Sequence, residues 1–436
     1  MKRQYAIAVA WVVGMLFAPD NLILLGNSAG SLKVGFFFLL IFSMCVYILH
    51  SRCYKNIAAF GQGPAGEFEW ITKTLGLAAA VIFSIASRVL AAVFLATATL
   101  VASGFVFNEV FVQRFPNFAF AFLMLGTLLT INLYSRELSR KMQLFLSGTA
   151  VAGIFVLSMI GIFQWLKTSE IVYTTTLIPP LKGSVSVLLL FVGFDLLTLS
   201  RNQSADHASS LQLYLLLGLC LAGTVFCFWG IASLLHVPAE RLAGTTIPHI
   251  LAAKKIFGQP GRIIMGLVII AGTGAAVNAL FMAIGGMIAD LGRKAMLPFL
   301  PRVFNRSLTT MILLALVTAI MMALGVAGTD ELDTYIRGSL ILWLLNYAVL
   351  NLALLLPGGR RRVQKVNEPL SWRQTVPHGT IFMLMLTGSV ILITTDDNAG
   401  LLIRYLSIIF FGVGLPIWVG NRIQSRRRRS HNPDGR

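Results

Sequence analysis

The sequence is poor in charge. Only 12% of its 436 residues are Asp, Glu, Lys or Arg, and Asp and Glu together number 17. A water-soluble fold of this length cannot cover itself with so little polar surface, so the composition excludes an ordinary soluble protein. Four cysteines, Cys45, Cys53, Cys220 and Cys227, form no CxxC pair, which excludes the common zinc and dithiol redox motifs. No GxxxxGK[ST] loop occurs, so ATP has no P-loop here. The histidines, His50, His207, His236, His249, His378 and His431, stand in loops and at the ends of apolar runs, with neither HxxxH nor acid-paired spacing. They read as interface residues, and without a base or metal cluster an intramembrane transferase has no catalytic centre. The chain is therefore predicted to be no enzyme, with no catalytic residue, metal site or cofactor.

Apolar sequence is what is abundant: 56% of residues are hydrophobic, with a mean hydropathy of +0.79. Runs of about 20 residues, the length that crosses hydrocarbon as a helix, lie near 5–25, 32–50, 77–106, 117–134, 143–166, 184–200, 211–235, 262–289, 308–327, 338–357, 379–395 and 401–420. These twelve runs must be helices, because an open strand would leave backbone groups unpaired in lipid. The first run follows Met1-Lys2-Arg3 as a signal peptide would, but no small-residue cleavage site ends it and the next run follows at once, so it is expected to be retained. The expected fold is an all-α polytopic membrane protein. One transmembrane domain covers 5–420, between an N-terminus at 1–4 and a basic tail at 421–436.

The net charge of +18 and the "RRRR" at 426–429 would suit nucleic acid in a soluble protein. In a membrane protein Lys and Arg mark cytoplasmic loops instead. With the N-terminus inside, 24 of the 35 Lys and Arg fall in inner segments and ten in outer ones, leaving Arg88 within the membrane. Both termini are thus expected in the cytoplasm, the acidic cluster Asp330, Glu331 and Asp333 outside, and no nucleic-acid partner. "PGGRRRVQK" at 357–365 and the tail would attract anionic lipid heads at the cytoplasmic face.

The same tally puts fifteen of the 17 acids in loops or the tail. Asp20 in the first run and Asp195 in the sixth remain, and with Arg88 in the third they suggest a shared polar site. An ionised side chain near the bilayer centre costs about 2.5–3.5 kcal/mol, so it needs a partner or a wet cavity. Arg88 and Asp195 lie at similar depth and are expected to pair, either as a structural lock or as a coupling pair; Asp20 sits nearer the outer side. Pro19 precedes Asp20 in "GMLFAPDNLILLG" at 14–26 and breaks or kinks the helix, which is tolerated at membrane depth only where the backbone is buried or lines a cavity. In "LLLFVGFDLLTLS", Gly193 stands between Phe191 and Phe194, just before Asp195. Two interrupted helices five runs apart point to an inverted-repeat carrier, with repeats at about 5–166 and 184–357 and added helices at about 379–420. Asn278 in "GTGAAVNALF" either faces the site or bridges helices. Gly272 to Ala276 suit close helix approach, and Asn346 and Asn351 read as interhelical bridges.

At this point the chain resembles the amino acid–polyamine–organocation (APC) permease superfamily, over nearly its whole length. "AAFGQGPAGEFEWITKTLG" at 58–76 is similar to the family's proline–alanine–glycine–glycine–x–tyrosine loop, with Glu67 in place of the second glycine and Phe68 and Trp70 as aromatics. "FVGFD" at 191–195 resembles its unwound phenylalanine–x–glycine–phenylalanine–acid element. "LGRKAMLPFLPRVFNR" at 291–306 resembles the segment leading into its ninth helix, and the first run resembles the family's in position and in its closing "AG" at 29–30. "GMLFAPDNLI" is also similar to the opening of the branched-chain amino acid carriers of the same superfamily. The resemblance implies a LeuT-like five-plus-five inverted repeat with discontinuous helices 1 and 6, in a bacterial inner membrane. It implies secondary transport of a small-molecule substrate, an amino acid or related organocation or zwitterion, by alternating access. The implied substrate positions are Gly14, Phe17, Ala18, Pro19, Asp20, Phe191, Gly193, Phe194 and Asn278, with Arg88 and Asp195 as coupling pair and H+ or Na+ as coupling ion.

The departures are specific. The first run lacks the family's glycine-rich motif, Arg201 and Asn202 replace acids that often follow the sixth-run element, and Arg88 is not a family feature. A buried cation there would replace a coupling sodium ion or bind an anionic substrate. "GGMIADLGRKAMLP" at 285–298 imitates the loop of major facilitator carriers, but the stronger copy belongs after the second run, where "GQGPAGEF" stands instead. The alternatives are therefore a major facilitator carrier, or a non-transporting receptor or scaffold with a carrier fold.

Overall fold

The computed structural model describes residues 2–60, 63–168, 181–200, 208–297, 300–356, 372–420 and 422, and every regular element among them is a helix. Among the described residues nine helices are long and apolar enough to cross a bilayer, and shorter apolar helices at Gln4–Val13, Gly183–Leu199 and Ser307–Ala323 occupy the other three runs. Nine long helices and three shorter ones thus fall on the twelve expected runs. Two of the short ones are short because the chain breaks inside them.

The first run divides into α1 (Lys2–Val13) and α2 (Pro19–Leu32), with irregular backbone over 14–18 between them. Pro19 occupies the first turn of α2, where its missing N–H would have had no intrahelical partner anyway. The helix α3 (Val34–Phe60) continues ten residues beyond the expected end at 50. The next segment, expected to be a loop and the entry of the following helix up to residue 76, folds as a separate helix α4 (Gly66–Leu75), which buries Glu67, Phe68, Trp70 and Ile71. Gly76, at φ 100°, turns the chain into α5 (Leu77–Ala80), a wide π-type turn at Val81–Ala86, and α6 (Ser87–Val110). Helices α7 (Asn117–Tyr134) and α8 (Arg136–Thr168) follow.

The sixth run repeats the interruption. It consists of α9 (Leu181–Ser186), a 3-10 turn at Val187–Phe191, irregular backbone over 192–195, and α10 (Leu196–Ser200). Gly193 takes φ 92°, a left-handed conformation that side chains resist, and a Cβ there would meet Met15 Sδ at 2.3 Å. Beyond it run α11 (Ala208–His236), α12 (Ala239–Ala243) and α13 (Pro248–Arg293). Non-helical Phe257 and Gly258, just before Pro260, kink α13, so its second part corresponds to the expected run at 262–289. The fold closes with α14 (Ser307–Ala323), α15 (Asp330–Leu355), α16 (Trp372–Thr394) and α17 (Ala399–Ile409), which continues into a second π-type turn at Phe410–Gly414.

Small residues let the long helices reach the breaks. A Cβ on Gly272 of α13 would meet the Phe17 carbonyl oxygen at 2.3 Å, so bare backbone packs on bare backbone there. Thr273 Oγ1 donates to the Thr99 carbonyl of α6 at 3.3 Å. The two π-type turns also pack together: Phe83 and Phe410 stack edge to face at 5.7 Å, and a Cβ on Gly414 would meet Ile82 Cδ1 at 2.5 Å.

Candidate functional site

The two breaks lie side by side, and a single amide ties them. Asn21 Nδ2 donates to Leu16 O at 2.9 Å and to Leu190 O at 2.8 Å, one carbonyl from each interrupted helix. Tyr47 on α3 donates to Leu188 O at 2.8 Å, and Gly193 N–H donates to the Tyr347 hydroxyl at 3.1 Å. Carbonyls freed by unwinding are thus satisfied by side chains, as a water-poor interior requires. Around them Phe17, Phe191 and Phe194, all fully buried, pack with Phe226, Tyr47 and Tyr347 at ring separations of 5.1–6.0 Å.

Beside the sixth-run break lies an ion cluster. Arg88 Nη2 is 2.6 Å from Asp195 Oδ2, and Arg88 grips Glu67 in a two-toothed fork at 2.8 and 2.9 Å. The side chains are 0%, 0% and 4% exposed, which places the cluster away from solvent. Asp195 accepts two further bonds, from Tyr347 at 2.6 Å and Tyr54 at 3.1 Å. Glu67 Oε1 accepts from Asn346 Nδ2 at 2.7 Å and from Ser84 at 3.3 Å. The Arg88 guanidinium also lies 5.2 Å from the Trp343 ring centroid. Arg88 and Asp195 therefore meet, while the assignment of Glu67 to a loop is corrected: α4 carries it into the interior as a third member.

Two histidines are also corrected. His50 and His378, read as scattered interface residues, are both buried and converge on Asn351. Asn351 Nδ2 donates to His50 Nδ1 at 2.8 Å, His378 Nδ1 lies 2.9 Å from Asn351 Oδ1, and the Cys53 thiol donates to that same oxygen at 3.0 Å. The His50 ring sits 4.7 Å from that of Tyr347, so this group forms an outer layer of the ion cluster. Asn346 and Asn351 bridge helices.

Asp20 stands apart. It lies in the first turn of α2, whereas the acids that pair with Arg88 are Glu67 and Asp195. The expected shared site of three charges is thus replaced by Glu67, Arg88 and Asp195. Ala18 and Pro19 are buried in the same turn as the cap and first residue of α2.

Asn278 is engaged within the protein. It accepts from Asn132 of α7 at 2.8 Å and Ser139 of α8 at 3.1 Å, and donates to Gln143 Oε1 at 2.7 Å. Gln143 and Ser147 in turn reach the Ala10 carbonyl of α1 at 3.3 and 2.9 Å. A Cβ on Gly14 would strike Gln143 Nε2 at 2.4 Å, so this network braces the beginning of the first break. Asn132 also lines a cavity of about 280 Å³, whose wall includes Trp11, Leu197, Met282, Arg136, Arg140 and Arg293. The cavity reaches the second half of the sixth run at Leu197, and its walls come from α1, α7, α8, α10, α13 and α14.

The expected site residues thus gather round the breaks, with Asp20 beside the first break but outside the ion cluster. Sequence reasoning missed Asn21, Tyr47, Tyr54, Glu67 and Tyr347. Tyr47, His50 and Tyr54 follow helical spacing along one face of α3, and that polar stripe within an apolar helix was the available signal.

Broken helices around a buried ion cluster, within an all-α bundle of membrane-spanning length, suit a multi-pass membrane transporter. Solved structures of the manganese transporter of Eremococcus coleocola share the fold. One mutant aligns at a TM-score of 0.62 and 13% identity over 97% of this chain and 94% of that one. Another mutant gives a TM-score of 0.61 at 13% identity over the same shares. A complex with an aromatic bis-isothiourea substituted compound gives 0.56 at 15% identity, again over 97% and 94%. A search of curated proteins finds no match. The family profile described as amino acid permease matches residues 5–416, and the chain belongs to that family of the APC superfamily. The major facilitator reading is thereby set aside; within its motif, Asp290 Oδ2 accepts from Ala65 N–H at 3.1 Å and anchors the segment before α4.

Proposed function

We propose that the protein carries an amino acid or related small organic zwitterion across a bacterial inner membrane by alternating access, with both termini in the cytoplasm. The observation that carries this reading is the meeting of the two helix breaks, tied by Asn21 and wrapped by Phe17, Phe191 and Phe194. Backbone interrupted at that depth offers carbonyl and amide groups to a substrate once the halves separate. In a five-plus-five inverted repeat the breaks occupy equivalent positions, and Arg88 with Asp195 then serves as a coupling pair.

The 280 Å³ cavity acts as the vestibule, at the lower edge of the roughly 300–1,000 Å³ typical of ligand pockets. Three guanidinium groups on its wall, Arg136, Arg140 and Arg293, favour a substrate that presents a carboxylate, so a zwitterion suits it better than a simple organocation. Manganese, the cargo named for the structural neighbours, is less well suited: no group of three or more His, Cys, Asp or Glu that could hold a metal ion occurs among the described residues.

A thermal-shift screen of the purified protein against amino acids, amines, organic anions and manganese, across pH and with or without sodium, selects ligands by their stabilisation of the folded state. Each hit is then followed by uptake into proteoliposomes. Stabilisation and uptake of a zwitterionic amino acid support the proposal. Binding without uptake in either direction would mark a receptor instead, and selective uptake of manganese would refute the substrate class.

A further inference from the structure

Among the described residues, a groove on the periphery of the bundle holds about 590 Å³. One wall is a single face of α17 and its π-type extension, where Ile403, Ser407, Leu415 and Trp418 recur at helical spacing, and the other includes Ala78 of α5 and Ile82 of the wide turn after it. Ile403 to Trp418 is fifteen positions, about 22 Å of helix at about 1.5 Å per residue, so the groove is a trough and not a pit. Apart from the Ser407 hydroxyl and the Trp418 indole N–H, its lining side chains are apolar. Ile403, Leu415 and Trp418 are each about half exposed, which leaves the trough open toward the surrounding hydrocarbon. An unfilled trough forfeits dispersion contacts along its whole lining, and an extended hydrocarbon chain restores them.

One end of the trough is basic. The membrane-spanning segment Ala399–Gly420 stops two residues past Trp418, where a tryptophan suits the boundary between hydrocarbon and water. Arg422 then lays its guanidinium over the Trp418 ring, 4.2 Å from the centroid. The sequence carries no acid between Asp397 and Asp434, while 426–429 are four arginines. Apolar surface along the trough and positive charge at its end match one amphiphile. We propose that an anionic phospholipid binds here, with an acyl chain along α17 and its headgroup at Arg422. A second copy of the chain fits less well, because two-fold symmetry would set concave wall against concave wall and bring two arginine-rich tails together. The site also reaches inward: Ile82 belongs to the wide turn Val81–Ala86, whose Ser84 carbonyl accepts from Arg88 Nη1 at 3.0 Å.

Native mass spectrometry of the full-length protein, released from nanodiscs of mixed phosphatidylglycerol and phosphatidylethanolamine, counts the lipids that stay bound. The wild type should keep one phosphatidylglycerol in preference to phosphatidylethanolamine. Arg422→Gln should weaken that preference about fivefold, the effect of one basic side chain at an anionic surface. Ser407→Trp, which puts a large ring into the trough, should remove the bound lipid while the melting temperature shows the protein folded. Phosphatidylglycerol with a photoreactive diazirine on its acyl chain locates the site without any substitution, and should label the stretch 403–418. A wild type with no preference for phosphatidylglycerol, a folded Ser407→Trp variant that keeps it, or labelling confined to other segments would overturn the proposal. So would a lipid-free dimer that Ser407→Trp dissociates, since the occupant would then be a second copy. None of these readouts requires uptake, so failure here leaves the transport reading intact, and failure of transport leaves this result standing.

Discussion

Replacing Arg88 with methionine should destabilise the protein severely. The substitution roughly preserves side-chain length but removes the cation that bonds Glu67 at 2.8 and 2.9 Å and Asp195 at 2.6 Å, all inside the bundle. Removing one partner of a buried ion pair costs about 3–5 kcal/mol, because the remaining charge is left uncompensated. At about 1.36 kcal/mol per decade, that lowers the folded-to-unfolded ratio by roughly two to four orders of magnitude. Two carboxylates are stranded here, so the upper part of the range is expected. Glu67→Gln should cost about 1 kcal/mol or less, since it leaves Arg88 matched to Asp195. The triple variant Arg88→Met, Glu67→Gln, Asp195→Asn should recover most of the loss, because no unpaired charge then remains. Denaturant unfolding of the detergent-solubilised protein measures all three. A single Arg88→Met variant within about 1 kcal/mol of wild type, or a triple variant no better than the single, would refute the argument from uncompensated charge.

Asn21→Ala strips a donor from the Leu16 and Leu190 carbonyls and should lower stability by about 2–6 kcal/mol, at about 1–3 kcal/mol per abandoned acceptor, read as a fall in melting temperature. Gly272→Ala, whose Cβ would lie 2.3 Å from the Phe17 oxygen, should cost about 1–3 kcal/mol in the same assay. Gly148→Ala, with nothing within 4 Å, should be neutral or stabilise by about 0.5–1 kcal/mol. Asn278→Ala leaves Gln143 Oε1 without its 2.7 Å donor and should cost about 1–3 kcal/mol; a melting temperature equal to wild type would show that the network does not brace the first break.

Much of the architecture was legible because the bilayer imposes a severe grammar. Apolar runs of the right length have to be helices, and Pro19 and Gly193 mark the interruptions through a missing N–H and a left-handed φ of 92°. Arg88 and Asp195 were legible as partners because a lone charge at that depth needs one. Glu67 was hidden for a plain reason: hydropathy averages assign a carboxylate that follows Gly63, Pro64 and Gly66 to a loop, and only the fold shows α4 turned inward. The helix α3 was cut short for the same cause, since Ser51, Arg52 and Lys55 depress the average although the backbone continues to Phe60. Asn21 carried no signal at all. An asparagine beside an aspartate after a proline looks like ordinary turn chemistry, and its reach to Leu190 spans 169 positions of sequence.

The wide turn at Val81–Ala86 ends two residues before Arg88. Such a turn holds one residue more than the regular coil, and each residue of regular helix advances the azimuth by about 100°. Arg88 points at its acids only while that extra residue is stored. Were the coil to tighten, the guanidinium would swing off its partners like a key withdrawn from a tumbler. The matching wide turn at Phe410–Gly414, seated against Ile82 and Phe83, is the part of the lock that would feel the key move.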